Sequence, residues 1–288
     1  MNTGILCGLG AFGIWGLFPL YLRQVAAVPP LEMVLHRSVW ALVFLTGVLV
    51  LLRRWQWMGE LRAQPRRLAM PMLCAVLLAT NWLLYVFAVQ TGHVVEASLG
   101  YFINPLVNVL LGVVVLRERL GTAQKVAVVL AAAGVAWLTW HVGRPPWIAL
   151  SLAASFGLYG LLRKTSRLGA LEGLYAETLL LAPLFVPALL AWTLAGHGAL
   201  AQGEASQIGW LALGGPLTAL PLMLFAAAAR RLPLATIGLL QYLSPSLQLL
   251  CGVWLFGEPF DGARLIGFAL IWTALAVVSA SAWVRSRA

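Results

Sequence analysis

The chain has 288 residues, of which 61% are hydrophobic and 10% are charged, and its mean hydropathy is +0.90. This composition excludes a soluble globular domain and indicates an all-α integral membrane protein whose first partner is the lipid bilayer. The formal net charge of +10 does not predict nucleic-acid binding, because the arginines stand in short gaps between apolar runs, where they encode membrane orientation.

The cysteines predict neither disulfides nor metal chemistry. Cys7, Cys74 and Cys251 all lie within apolar runs, at spacings that match no disulfide framework or metal motif. We therefore expect no metal and no cofactor. The first apolar run lacks a basic leader and a cleavage site, so we expect it to be kept as a helix.

Apolar runs bounded by charges or turn residues predict ten membrane-spanning helices, of which the fifth and sixth are short. In chain order they are Gly4 to Leu22, Met33 to Leu52, Leu68 to Val89, Ala97 to Leu116, Ala123 to Trp140, Trp147 to Leu162, Leu171 to Ala195, Ile208 to Ala229, Leu234 to Phe256, and Arg264 to Trp283.

The positive charges in the gaps predict the orientation. With the gaps assigned to alternate sides, fifteen lysines and arginines fall on one side and only Arg23, Arg144 and Arg264 on the other, leaving Arg37 inside the second span. Positively charged gaps remain in the cytoplasm, so both termini are expected there, in a multi-pass protein of the cytoplasmic (inner) membrane.

One stretch of sequence occurs twice. Leu99–Glu118 returns 140 positions later as Leu239–Glu258, with a proline, a glycine and a glutamate at matching places. The chain is therefore predicted to be a duplication, with units 1–142 and 143–288. Because each unit holds five spans, an odd number, the second unit must be inverted relative to the first, as in many secondary transporters.

Both copies of the repeat carry a proline inside an apolar run. Pro105 removes the helical donor for the carbonyl of Tyr101, and Pro245 removes the donor for the carbonyl of Gln241, so we expect two kinked helices. Such freed groups are tolerated in a membrane only beside protein or a wet cavity. Polar side chains at i, i+3 and i+7 form one stripe on each helix, and we expect the stripes to be facing walls of a cavity: Tyr101, Asn104 and Asn108, and Gln241, Ser244 and Gln248.

An arginine inside the second span is the strongest candidate for binding a solute. His36 and Arg37 lie near the start of this span, with Trp40 on the same face. A lipid-facing arginine near the centre of a bilayer costs about 2.5 kcal/mol or more, so Arg37 must snorkel, pair or face a cavity. It either binds an anionic group of a solute or pairs with Glu32 or Glu96.

Glu177 stands at the position equivalent to Arg37 in the second unit. A carboxylate inside a span either carries a coupling proton or balances a cation, and both interpretations stay open.

Further polar and aromatic side chains are candidates to line the cavity. Asn81 and Tyr85 share one face of the third span, although interhelical hydrogen bonding alone explains an asparagine there. Trp15 and Tyr159 each lie between glycines on spans one and six, where they either line the cavity or pack. Glu118 is expected to pair at the surface with Arg119, and Glu258 with Arg264.

These residues together resemble the drug/metabolite transporter superfamily of EamA type, and specifically its RarD branch. The resemblance covers essentially the whole chain and rests on His36-Arg37 with Trp40, Asn81–Tyr85, Gly92-His93, Glu96–Leu106, Arg117–Leu120 and Ser155–Gly160. It implies ten spans in two inverted five-helix repeats, a cavity walled by spans one to four and six to nine, and export or exchange of small organic solutes. Gln241 in place of Tyr101, and Glu177 in place of Arg37, make the two halves chemically unequal.

We therefore expect a secondary transporter, not an enzyme, that moves amino-acid-like metabolites or amphipathic drugs by alternating access around a midplane cavity. The alternative is a membrane-embedded enzyme acting on a lipid or isoprenoid substrate. Such an enzyme needs an acid cluster or a nucleophile with its base, and the scattered intramembrane acids and histidines supply neither.

Overall fold

The computed structural model describes residues 2–142, 146–202, 205–257 and 262–287, and every regular element in these ranges is helical. The helices are α1 (Thr3–Gly16), α2 (Phe18–Gln24), α3 (Pro30–Leu52), α4 (Gln56–Ala63), α5 (Ala69–Gln90), α6 (Val94–Val114), α7 (Thr122–Val142), α8 (Trp147–Thr165), α9 (Ala170–Leu194), α10 (Ala199–Gln202), α11 (Ala205–Ala229), α12 (Leu234–Gln241), α13 (Leu243–Leu250) and α14 (Gly262–Arg287). A 3₁₀ turn covers Pro65–Leu68, and a π-helical turn covers Cys251–Leu255.

Within these ranges, eight helical segments are long and apolar enough to cross a membrane. They comprise α1 with α2, α3, α5, α6, α7, α9, α11, and α12 with α13. The fifth predicted span is longer than expected, since α7 has 21 residues. Leu265–Ser281 within α14 forms a shorter apolar helix, and α8 carries Arg163 and Lys164 in its last turn.

The first span is broken, which the apolar pattern did not predict. The helix stops at Gly16 and restarts at Phe18, with Leu17 between the two segments. Pro19 causes the break, because it has no N–H to donate to the carbonyl of Trp15 four residues earlier. The Gln248 side-chain amide donates to that carbonyl at 3.0 Å, so the break is satisfied from another helix.

The two proline-containing spans of the repeat differ in continuity. The helix α6 runs from Val94 to Val114 with Pro105 inside it. The equivalent span in the second half is divided at Tyr242, and Pro245 lies in the first turn of α13. Proline is tolerated best in a first helical turn, where the missing donor has no partner to lose.

The two halves of the chain are packed into each other. α3 packs against α9 and α11, α6 against α8 and α12, α1 against α11 and α13, α5 against α8 and α9, and α7 against α14. The main buried cluster draws residues from both halves, among them Phe12, Leu45, Tyr159, Leu174 and Phe225. Neither half therefore has a core of its own.

Buried glutamates cap helices on distant parts of the chain. Glu32 accepts from the backbone N–H of Ala199 at 2.7 Å, and Glu96 accepts from that of Ile148 at 2.7 Å. A helix N-terminus presents unpaired N–H groups and a partial positive charge, so a carboxylate satisfies both where water is absent.

Glu118 has the same role at the start of α12. Its two carboxylate oxygens accept from the backbone N–H groups of Leu234 and Ala235 at 2.7 and 2.9 Å, and Lys164 lies 3.7 Å away. The expected surface pair with Arg119 is therefore wrong. Glu258 and the side chain of Arg264 lie outside the described residues.

Candidate functional site

Arg37 lies two turns into α3, where residues from both halves of the chain surround it. Its Nε donates to Thr218 Oγ1 on α11 at 2.9 Å. The guanidinium carbon lies 4.8 Å from the ring centre of Phe18 on α2 and 5.9 Å from that of Trp82 on α5. The guanidinium is thus held by one hydrogen bond at its edge and by aromatic rings.

No acidic side chain neutralises Arg37 within the described ranges. The two expected partners are engaged elsewhere: Glu32 accepts from Ala199 N–H and from the Trp192 indole, and Glu96 accepts from Ile148 N–H. The side chain of Arg37 stays partly exposed. A charged donor group is therefore available inside a predicted span.

Three tyrosines complete the surroundings of Arg37. Tyr21, Tyr85 and Tyr101 all lie in the neighbourhood of the guanidinium. Tyr101 keeps 41% of its surface accessible, whereas the Tyr21 hydroxyl is buried and has no hydrogen-bond partner in the described structure. The expected cavity residues Tyr85 and Tyr101 are thus brought together with Arg37.

Two glycines allow α11 to approach this site closely. A Cβ at Gly215 would collide with the backbone of Trp40, and one at Gly214 would collide with the Tyr21 hydroxyl. Trp40 therefore contributes a backbone contact between α3 and α11, and its side chain is partly exposed. Glycine is required here because the two helices have no room for a side chain between them.

The two polar stripes of the repeat meet at one hydrogen bond. The Asn108 amide of α6 donates to the Gln241 side-chain oxygen of α12 at 2.7 Å, and both residues are buried. The other members of the second stripe bond to α1 instead: Ser244 donates to the carbonyl of Phe12 at 2.8 Å. In this conformation Asn108, Gln241 and Ser244 stabilise helix contacts, whereas Tyr101 of the first stripe stays accessible.

Two amide oxygens in the first stripe are left without partners. Asn104 Oδ1 and Asn108 Oδ1 are buried and accept no hydrogen bond from any described residue. An unsatisfied buried acceptor costs about 1–3 kcal/mol, so these oxygens mark places where another conformation or a bound group would supply a donor.

Trp15 and Tyr159 are parts of a closed aromatic cluster. Trp15 lies 5.6 Å from Phe156 and 5.9 Å from Phe225, and the Tyr159 ring stacks on Phe225 at 6.3 Å. Tyr159 has no accessible surface. Tyr159 is therefore a packing residue in this conformation, whereas Trp15 packs against two rings and keeps part of its surface exposed.

Glu177 is paired with Arg163. The apolar pattern ended the sixth span at Leu162 and so placed this arginine just outside it. Arg163 Nη1 lies 3.1 Å from Glu177 Oε1, and the Tyr159 hydroxyl donates to Glu177 Oε2 at 3.1 Å. Arg163 also donates to the carbonyls of Gly169 and Ala170 in the α8–α9 connection. Both charged side chains are 0–1% exposed, so Glu177 balances a cation in this structure.

Two further candidates, His36 and Asn81, are held by contacts within the protein. His36 is fully buried with Nε2 3.6 Å from Glu32 Oε1, and neither ring nitrogen has a hydrogen-bond partner among the described residues. Asn81 donates to the Leu152 carbonyl and to Ser155 Oγ, which joins α5 to α8. The interhelical hydrogen bond, which was the alternative to cavity lining for Asn81, is therefore present.

The sequence did not single out four residues that shape these sites: Phe18, Tyr21, Thr218 and Arg163. Arg163 follows Tyr159 by four positions, which places both on one helix face, and that spacing was an available signal. Nothing in the sequence linked Thr218 to Arg37, because their contact joins two helices 181 positions apart.

Comparisons with known proteins agree with a helical membrane fold. Residues 2–140 match the EamA-like transporter family. An uncharacterized transporter of Pseudomonas aeruginosa is 46% identical over 98% of this chain and 95% of its own length. Protein RarD of Streptomyces exfoliatus is 46% identical over 96% of this chain and 88% of its own.

Protein RarD of Escherichia coli is 40% identical over 96% of this chain and 93% of its own length. A solved crystal structure with 18% identity has the same fold, with a TM-score of 0.71 over 95% of this chain and 96% of that one. The chain therefore belongs to the EamA-type family of membrane transporters and, within it, to the RarD branch.

Proposed function

We propose that this protein is a secondary transporter that moves small organic solutes, amino-acid-like metabolites or amphipathic drugs, as an exporter or exchanger. The observation that carries the proposal is Arg37, a partly exposed arginine inside a predicted span, which bonds from α3 to α11 and has no acidic partner among the described residues. A site between two moving halves is what alternating access requires.

The proposed architecture has ten spans in two inverted repeats, 1–142 and 143–288, with α8 and the Leu265–Ser281 segment of α14 completing the ten. The family match over residues 2–140 ends near the proposed boundary, which supports this division.

The packing of the helices supports the duplication independently. If α8, α9, α11, α12–α13 and α14 are the counterparts of α1–α2, α3, α5, α6 and α7, then exchanging each helix with its counterpart preserves the main contacts. The pair α3–α11 becomes α9–α5, α6–α8 becomes α13–α1, and α5–α8 becomes α11–α1; all six pairs are in contact. A twofold exchange of this kind is expected of two repeats that share one interface.

In the proposed orientation both termini are cytoplasmic, in the inner membrane, so Arg37 lies in the outer half of the bilayer and Glu177 in the inner half. Arg37 is partly exposed, whereas its counterpart Glu177 is sealed by Arg163 and Tyr159. We infer an outward-facing conformation, in which rocking of the halves exposes the Glu177 side and closes the Arg37 side.

Flux through proteoliposomes tests this function. We expect purified protein to move labelled solutes from a panel of amino acids and chloramphenicol, and we expect Arg37→Ala and Asn104→Leu each to abolish that flux. Arg23→Ala, at the end of α2, is the matched control and should transport like the wild type. Unchanged flux in both site variants, with all proteins folded by size-exclusion chromatography, would refute the proposed site.

A further inference from the structure

We propose that the Arg37 site selects aromatic carboxylates: the carboxylate binds the guanidinium and the ring lies against the aromatic side chains around it. This inference rests on the transport function proposed above and narrows its substrate class from small organic solutes to organic anions.

The guanidinium is oriented so that its free edge is available. Thr218 Oγ1 donates to the carbonyl of Gly214 at 2.7 Å and accepts from Arg37 Nε at 2.9 Å. This chain of two hydrogen bonds fixes the plane of the guanidinium. The terminal nitrogens of Arg37 have no hydrogen-bond partner in the part of the chain that the structure describes, and Arg37 as a residue is partly exposed. A fixed guanidinium with free terminal N–H groups matches the two oxygens of a carboxylate.

A second donor lies next to it. The Tyr21 hydroxyl and the Arg37 side-chain stem both border the same side of Gly214. The hydroxyl is buried and unpartnered in the described structure, so it can donate to an anion without breaking an existing bond.

The walls of the site suit a flat ring. Phe18 and Trp82 lie 4.8 and 5.9 Å from the guanidinium carbon, and Tyr85 and Tyr101 lie within its electrostatic range. Aromatic pairs gain from offset or edge-to-face packing beyond the apolar area that they bury.

The surroundings disfavour a cationic group on the solute. An ammonium needs an anionic partner when it leaves water, and the two acids expected to pair with Arg37, Glu32 and Glu96, already accept hydrogen bonds from helix N-termini. The positive charge of Arg37 itself repels an ammonium. The expected order of affinity is carboxylate first, zwitterionic amino acid second and amine last.

The test uses four probes with one ring: 3-phenylpropanoate, phenylalanine, 3-phenylpropylamine and the neutral 3-phenylpropanamide. Binding to the full chain in nanodiscs is measured by equilibrium dialysis at neutral pH. We expect the carboxylate to bind about tenfold or more tightly than the amide, the size of effect expected from a charge-assisted hydrogen bond. Arg37→Gln should remove that preference, and the control Arg23→Gln should keep it.

The variant Thr218→Val tests whether the hydrogen bond from Arg37 to Thr218 orients the guanidinium. It should reduce the preference for the carboxylate over the amide while leaving amide binding unchanged. The inference is overturned if the amine or the zwitterion binds as tightly as the carboxylate, or if Arg37→Gln keeps the carboxylate preference.

Flux separates this inference from the proposed function. The flux assay adds a fifth probe, 3-phenylpropane-1-sulfonate, in which a sulfonate replaces the carboxylate. This anion stays ionised and does not leak through lipid. Arg37-dependent binding without flux of any probe would sustain the substrate class and overturn transport. Flux of other solutes that Arg37→Gln leaves unchanged would sustain transport and overturn the substrate class.

Discussion

Two arginines that lie inside helices, Arg163 and Arg37, have different surroundings in this protein. Arg163 is 1% exposed, and its guanidinium contacts the Glu177 carboxylate and two backbone carbonyls. Arg37 is partly exposed and donates one bond, to Thr218. The first is neutralised by a buried carboxylate and joins α8 to α9, whereas the second has no acidic partner among the described residues. Only the second is suited to a ligand.

The ion pair of Arg163 and Glu177 predicts a large effect on stability. Arg163→Met should lower the free energy of unfolding by about 3–5 kcal/mol, because it leaves a buried carboxylate without its cation. The double variant Arg163→Met/Glu177→Leu should recover most of that loss, since apolar groups of similar volume replace the pair. Thermal unfolding followed by tryptophan fluorescence measures both. Equal losses in the single and double variants would contradict the argument.

The sequence left open whether Glu177 balances a cation or carries a proton, and it could not name the cation. The sixth span was predicted to end at Leu162, which put Arg163 in a charged gap. The helix α8 continues to Thr165, so Arg163 lies inside it. Helix ends are set by packing and capping as much as by apolarity, which is why one turn decided the role of this residue.

Prolines act differently from helix to helix. Pro19 and Pro245 lie in the first turns of α2 and α13, where each span restarts after a break. Pro105 stays inside the continuous α6, and its carbonyl lies against Gly238 of α12. The apolar runs could place these prolines, but only the neighbouring helices decide which of them interrupts a span.

The crossing of α6 and α12 predicts an effect for a single methyl group. Gly238→Ala should destabilise the protein by about 1–3 kcal/mol, because its Cβ would meet the backbone oxygen of Pro105, which cannot turn away. Gly47→Ala is the matched control: no atom lies within 4 Å of its Cβ position, so it should be neutral or stabilising by about 0.5–1 kcal/mol. Thermal unfolding of both variants in the same detergent measures the contrast. If Gly238→Ala is as stable as Gly47→Ala, the helices are not pressed together at this point.

At the scale of the molecule, the two halves share one interior. The contacts of α3 with α11 and of α6 with α12 join opposite halves. The hydrogen bond between Asn108 and Gln241 belongs to the contact of α6 with α12. The proposed motion of one half against the other would break or slide contacts of this kind, and the unpartnered amide oxygens of Asn104 and Asn108 lie on α6.

The proposed inversion is tested with a pair of cysteines. Thr91 and Arg231 are 140 positions apart, both are exposed, and they occupy equivalent connections in the two halves. In a background with Cys7, Cys74 and Cys251 replaced by alanine, a membrane-impermeant maleimide applied to intact cells should label Thr91→Cys and not Arg231→Cys. Permeabilised cells should label both, which controls for reactivity. Labelling of both in intact cells would show that the halves have the same orientation.

The sequence by itself determined that this chain is a helical membrane protein, predicted that its two halves repeat, and marked Arg37, Glu177 and the two amide stripes as unusual. These conclusions rest on apolar length, spacing and the cost of polar groups in lipid, which act locally along the chain. Only the tertiary structure decided which polar groups satisfy one another. Thr218 holds Arg37, Arg163 neutralises Glu177, and Gln248 satisfies the carbonyl freed by Pro19. Each of these bonds joins separate helices, and buried polar groups choose such partners by proximity in the folded molecule.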